Sequence, residues 1–303
     1  MEHSWIGLAI FAAFMQAVRT AAQKQLNRRL STLATTYVRS LYGLPIMGLY
    51  LGVVLATLGG GMPRLSTIYL AFTFLGALAQ VIATMLLISM FRLRNFAVGS
   101  VMTKCDVVMT ALIGWLFFSE VHSAGGVLAL TVVMAGVLLM SIGRIGADRL
   151  PIKDALLSEP TLIALACAFA FSLSYLFLRE ATLAMGEDRH FLWRGAWTVV
   201  LATAMQTVFV GWWLWRTEPD AFKALWPDRN MSFFIGATSA LGSIAWFTAF
   251  ALQNASYVRA VGQVEVVFTL LISVLYFRER ITGIELVGIG TTVAGVVLFR
   301  LVS

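Results

Sequence analysis

Two acidic residues stand in stretches that otherwise read as hydrocarbon. Glu265 lies in GQVEVVFTLLISVLYFRER (262–280) and Asp106 in KCDVVMTALIGWLFFSE (104–120). A charge at a bilayer centre costs at least ~2.5–3.5 kcal/mol on insertion scales, so such a group faces a cavity or a partner. Four residues beyond each acid comes a threonine, Thr110 and Thr269. On a helix that spacing sets carboxylate and hydroxyl on one face. Such a pair can take a proton or a substrate ammonium; its structural alternative is an ion pair locking two parts of the chain together. Lys104 lies two residues before Asp106, about 200° round a helix, so the two do not share a face. It needs another partner or points into a lumen. Arg19 lies well inside the first apolar run. If Arg19 and Lys104 line one cavity, its cations outnumber what Asp106 and Glu265 neutralise, and the site suits a carboxylate or phosphate.

Other side chains have weaker claims. Gln80, Gln253 and Asn254 can supply uncharged hydrogen bonds. Tyr175, Trp193, Trp197 and Trp246 can form aromatic walls, and Trp246 is mid-run. Trp5, Trp212, Trp213 and Trp215 fall near the ends of apolar runs and read as interfacial anchors. Arg39, Arg179 and Arg194 lie near run ends and are expected to snorkel to headgroups. Glu120 and Glu279 close their runs beside loops and are expected to face water.

These residues need helices to hold them. The chain has 303 residues, 59% hydrophobic and 12% charged, with a mean hydropathy of +0.85. Soluble proteins are nearer 25% charged. An integral membrane protein follows, all-α. A crossing helix needs about 20 mostly apolar residues. Ten candidate runs fit: 4–24, 33–58, 66–90, 95–118, 123–142, 160–179, 191–215, 231–252, 256–277 and 282–301. The first run lacks a basic leader and an Ala-x-Ala site, so it reads as a crossing and not a cleaved signal. Five of six prolines fall at or outside run ends; Pro45 is the exception and is expected to kink the second helix. Alternate loops hold 13 Lys and Arg against 3 on the other side, which places both termini outside.

Several classes of function drop out. His3, His122 and His190 lie outside the apolar runs, and no HExxH, Walker loop or Gly-x-Ser-x-Gly occurs. No enzyme, metal or cofactor is expected. Cys105 and Cys167 supply no disulfide framework. The net charge of +7 suits loops facing anionic lipid; without a basic domain it does not point to nucleic acid.

The chain also repeats. Shifted by 159 residues, positions 95–140 meet 254–299 with 13 identities in 46 ungapped positions, among them Val107-Val108 on Val266-Val267, Thr110 on Thr269 and Glu120 on Glu279. Asp106 meets Glu265. Nearby offsets pair Arg19 with Arg179 and Arg39 with Arg194. The predicted domains are 1–150 and 151–303, five runs each, so the second enters the membrane inverted. Inverted repeats about an axis in the membrane plane are a recurrent carrier architecture.

At this point DVVMTALIGWLFFSE (106–120) and EVVFTLLISVLYFRE (265–279) resemble the paired signature of EamA-type proteins of the drug/metabolite transporter superfamily: an acid, usually followed by proline, then an apolar helix closing on a glutamate. Both copies lack the proline, with Val107 and Val266 in its place, which removes the covalent reason for a kink. The resemblance implies ten helices as two inverted five-helix repeats around a central cavity lined mainly by helices 1, 3, 4, 6, 8 and 9. It also implies termini in the cytoplasm, against the charge count. The expectation is a secondary active transporter of a small polar organic metabolite, amino-acid-like or carboxylate-bearing, working by alternating access with protons or a counter-substrate. It would sit as a monomer or homodimer in a bacterial-type inner membrane. The alternatives are a multidrug exporter of organic cations and a non-transporting scaffold or lipid-handling protein. The candidate binding or coupling set is Asp106, Glu265, Arg19, Lys104, Thr110, Thr269, Trp246, Gln80, Asn254 and Tyr175.

Overall fold

Hydrocarbon offers no partner to a backbone N–H or C=O, so apolar runs satisfy their amides within helices. The computed structural model describes residues 4–90, 102–145, 159–186, 188–225, 227–277 and 282–302, and all their regular structure is helical. The helices are α1 (Ser4–Leu26), α2 (Thr32–Leu58), α3 (Thr67–Met90), α4 (Asp106–Phe117), α5 (Ala124–Ile145), α6 (Glu159–Leu183), α7 (Phe191–Thr217), α8 (Arg229–Phe250), α9 (Ala255–Gly262), α10 (Val264–Phe277) and α11 (Gly283–Val302). Single helical turns occur at Thr103–Cys105 and Ala221–Ala224.

Among the described residues eight helices are long and apolar enough to cross a membrane: α1, α2, α3, α5, α6, α7, α8 and α11. The continuous runs expected at 95–118 and 256–277 take a different form. In the first, residues 95–101 lie outside the described residues, a 3-10 turn covers Thr103–Cys105, and α4 begins at Asp106. In the second, Gln263 separates α9 from α10, its N–H bonded to Ala260 O at 3.1 Å and its C=O accepting from Val266 N–H at 2.9 Å. These are three-residue spacings, a local 3-10 tightening of the kind that marks hinges inside helices. Each acid therefore sits in the first turn of a helix just after a tightened turn, not deep within a continuous one. The tightening needs no proline.

Helix starts are written locally. Ser31 Oγ accepts from Ala34 N–H at 3.1 Å to cap α2. At α11, Thr282 N–H donates to Glu285 Oε2 at 2.8 Å while Glu285 N–H donates to Thr282 Oγ1 at 3.3 Å, a reciprocal capping box.

Packing pairs helices across the two halves. α5 lies on α11, α3 on α6, α1 on α8 and α2 on α7; α4 touches α6 while α9 and α10 touch α1. Exchanging α1 with α6, α2 with α7, α3 with α8, α4 with α9–α10 and α5 with α11 returns the same pairings, as a two-fold relation between the halves requires. Small residues set the closest approach. A Cβ on Gly136 would lie 2.5 Å from Thr292 N and 2.8 Å from Gly288 O, so α5 and α11 meet backbone to backbone. Trp5, expected at the interface, is instead buried edge-on to Phe299 with ring centroids 6.1 Å apart. Trp212, Trp213 and Trp215 are exposed on α7.

Candidate functional site

The start of α4 and the 3-10 turn before it meet the α9–α10 junction between the halves. Asp106, 2% exposed, accepts from Arg259 Nη2 at 2.7 Å and from Gln263 Nε2 at 3.2 Å. Both donors belong to the second half. Glu265 accepts from Gln16 Nε2 at 2.8 Å and lies 3.7 Å from Lys104 Nζ, both of the first half. Lys104 and Gln263 are repeat mates, each two residues before its own acid, and each reaches the acid of the other half. Lys104 thus finds its carboxylate in the other half, and not in Asp106 two residues on.

Arg259 was not singled out in the sequence. It lies in YVRAV (257–261), within a run otherwise apolar, and an arginine there is the signal that marks it. Its guanidinium stacks over Tyr175 at 4.5 Å and Trp246 at 4.9 Å, a cation held between two aromatic faces and against a carboxylate.

The two threonines do not join the acids. Thr110 Oγ1 donates to Asp106 O at 2.6 Å and Thr269 Oγ1 to Glu265 O at 2.8 Å, in both cases the main-chain oxygen one turn back. A buried helical threonine has that acceptor always within reach, and takes it. Ser172 Oγ donates to the same Asp106 carbonyl at 2.9 Å.

Beside this cluster lies a narrow cavity reached by α1, α2, α3, α6 and α8. Its polar lining is Gln16, Arg19, Arg39, Gln80 and Ser243; its walls are Phe171, Tyr175, Trp246, Phe247 and Phe250. The rings pair off: Phe171 stacks on Tyr175 at 5.7 Å and Trp246 on Phe250 at 5.9 Å. Trp246 Nε1 donates to Gln16 Oε1 at 3.2 Å. The Gln16 amide therefore links the cavity wall to Glu265, its N–H₂ facing the carboxylate and its oxygen facing the indole. That orientation is the one the chemistry demands, since a carboxylate only accepts and an indole only donates.

Arg39 does not snorkel. It is buried, donating to Thr84 Oγ1 (3.3 Å), Gln80 Oε1 (3.2 Å) and Gln206 Oε1 (2.7 Å), all neutral oxygens. Gln206 Nε2 in turn donates to Gln80 Oε1 at 2.8 Å, so two amides fix the guanidinium. Arg194, its repeat mate, is buried too, with Nη2 donating to Ala251 O at 3.2 Å. Arg39 lies two turns into α2 and Arg194 in the first turn of α7, and both turn inward to acceptors within the protein. Arg19 is 7% exposed; its Nε–H has no hydrogen-bond acceptor among the described residues.

The structure places other candidates elsewhere. Asn254 sits at the start of α9, donating to Val121 O at 3.0 Å and accepting from Arg179 Nη2 at 3.0 Å. Glu120, expected in water, is 2% exposed. Its Oε1 accepts from Ala255 N–H at 2.7 Å and its Oε2 from Ser256 Oγ at 2.8 Å, so a carboxylate from the first half caps α9 in the second. Arg179 Nε lies 3.6 Å from the same carboxylate. Arg179 is therefore part of a clamp, while its repeat mate Arg19 faces the cavity. Trp193 and Trp197 pack edge to face at 6.5 Å in a separate cluster with Leu51 and Val54. Cys167 Sγ is buried against Ala83 O at 3.3 Å. Glu279 lies outside the described residues.

Comparison with known proteins adds three findings. The model of the EamA-like transporter family matches residues 3–142 and 160–301, one copy on each half. A solved structure described only as the crystal structure of a protein aligns over 99% of this chain and 98% of its own, with a TM-score of 0.70 at 14% identity, a likeness of fold. No curated protein matches the chain.

Proposed function

This chain belongs to the EamA-like transporter family, and we propose that it is a secondary carrier that moves a small polar, carboxylate-bearing organic metabolite by alternating access. In this reading the two repeats cross the membrane in opposite senses, with α4 and the α9–α10 pair completing ten crossings. The observation that carries the proposal is the polar cavity itself. It lies among crossing helices of both repeats and holds arginines and amides that hydrocarbon cannot solvate.

The ties between the repeats fit a carrier. Arg259 to Asp106, Gln263 to Asp106, Lys104 to Glu265 and the Glu120 cap all join one repeat to the other. Alternating access exchanges such contacts for others as the repeats rock. Glu265 is the proposed coupling residue: it borders the cavity through Gln16, and its partner Lys104 is longer-range than Arg259 is to Asp106. Asp106 is the proposed latch. An exporter of organic cations is less favoured, because the charged groups lining the cavity are both arginines. A membrane scaffold has no use for them.

Counterflow in proteoliposomes tests the reading. Vesicles loaded with a metabolite mixture should accumulate labelled substrate transiently with the wild type, and empty vesicles should not. Glu265→Gln should keep this exchange and lose uptake driven by a pH gradient. Gradient-driven uptake that survives the substitution rules Glu265 out as the coupling group. Absence of counterflow for every metabolite rules out the carrier.

A further inference from the structure

Around the cavity each carboxylate already has a cationic partner. Asp106 is bonded to Arg259 at 2.7 Å and Glu265 lies 3.7 Å from Lys104. Arg19 and Arg39 remain. None of the described residues lining the cavity is acidic. Arg39 is surrounded by three neutral oxygens, which orient its N–H groups without cancelling its charge. Arg19 forms no hydrogen bond or ion pair among the described residues, although it is more than nine-tenths buried. A guanidinium withdrawn from water with no carboxylate bonded to it is costly, and two on one cavity more so. Glu265 attracts Arg19 from behind the Gln16 amide, but no negative charge stands on the lining between the two arginines.

We propose that the substrate is an organic dianion, a dicarboxylate or a phosphate monoester, bound with one acidic group or acidic oxygen pair on Arg19 and the other on Arg39. This rests on the carrier reading above and narrows its substrate. Guanidinium is suited to the task, since its planar fork matches carboxylate and phosphate oxygens two at a time. The amides of Gln80 and Gln206 hold Arg39 in place before ligand arrives, so ordering it costs little on binding. The stacked pairs Phe171–Tyr175 and Trp246–Phe250 offer apolar faces, with Gln16, Gln80, Ser243 and the Tyr175 hydroxyl as the uncharged polar groups beside them. They favour a carbon skeleton between the acidic groups over a small, fully hydrated inorganic anion. A zwitterionic amino acid brings no net charge to the two arginines, and the α-ammonium has no acid on the lining to meet.

Thermal unfolding of the purified full-length protein at pH 7.5 tests this with matched probes. Glutarate is compared with butyrate, 4-aminobutyrate and butylamine, which are dianion, monoanion, zwitterion and cation on similar chains. Phthalate against benzoate repeats the comparison on a ring, phenyl phosphate separates phosphate from dicarboxylate, and inorganic phosphate controls for a bare ion. At least one organic dianion should stabilise the protein with an apparent Kd about tenfold or more below its monoanion. Arg19→Gln should erase that advantage, Arg19→Lys should keep part of it, and Arg39→Gln should act as Arg19→Gln does. A zwitterion or cation that stabilises as well as any dianion overturns the proposal. So does a dianion preference unchanged in both Gln variants, or stabilisation by inorganic phosphate alone. Counterflow separates this failure from failure of the carrier reading. Flux confined to zwitterions sinks the dianion and keeps the carrier; dianion binding that depends on Arg19, with no flux of any solute, sinks the carrier and keeps the site.

Discussion

Gln263 donates to Asp106 at 3.2 Å, and its repeat mate Lys104 reaches Glu265 at 3.7 Å, so each half supplies a donor to the acid of the other. Duplication placed equivalent positions on either side of the two-fold relation, where they face each other's helix start. Divergence then set their strengths apart. Asp106 gained Arg259 as well, a bonded cation between two rings, while Glu265 kept an amide and a more distant lysine. The stronger tie is suited to holding a conformation and the weaker to releasing one.

Removing one member of the Asp106–Arg259 pair should be far worse than removing both. Arg259→Met strands a carboxylate that is 2% exposed, and such losses cost about 3–5 kcal/mol. Arg259→Met combined with Asp106→Asn should recover most of that. Thermal unfolding of the single and double variants in detergent closes the cycle. Additive losses would mean the two side chains do not depend on each other.

Glu120 should matter to stability and not to ligand choice. Glu120→Ala removes the acceptor for Ala255 N–H and Ser256 Oγ and leaves Arg179 without that neighbour, a loss of at least about 1–2 kcal/mol. Glu120→Gln, which keeps one oxygen, should fall between. The ratio of dianion to monoanion affinity should stay at the wild-type value in whichever variant folds; a changed ratio would place Glu120 in the binding site.

Two glycines in the paired helices should part company. Gly136→Ala drives a methyl into the backbone of α11, where Thr292 N and Gly288 O cannot give way, and overpacking of this kind costs about 1–3 kcal/mol. Gly290→Ala has nothing within 4 Å and should be neutral or stabilising by up to about 1 kcal/mol. Equal melting temperatures for the two variants would contradict the close packing of α5 on α11.

Gly262 lies directly beneath the Trp246 ring, and a Cβ there would press on it. Trp246 lines the cavity, so Gly262→Ala should push the indole inward. Stabilisation by glutarate or phthalate should weaken several-fold, beyond the fall in ligand-free melting temperature that overpacking of about 1–3 kcal/mol brings. A variant that melts far lower yet binds normally would assign Gly262 to packing alone.

The sequence alone determined a great deal. Composition required a membrane-embedded helical protein, because so apolar a chain cannot satisfy its backbone otherwise. The 159-residue repeat and the paired motif identified the family, and a charge in an apolar run was reason enough to single out Asp106, Glu265, Arg19 and Lys104. Those readings depend on residue type and spacing along one helix, which the sequence carries directly. What only the tertiary structure decided is which group meets which. Asp106 turned to Arg259, Glu265 to Gln16 and Lys104, Thr110 and Thr269 to their own main chain, Glu120 to the start of α9, and Arg39 inward to Gln80 and Gln206. Partners as distant along the chain as Gln16 and Glu265, 249 residues apart, leave no periodic trace, since electrostatic and hydrogen-bond energies fall off with distance in space and take no account of distance along the chain.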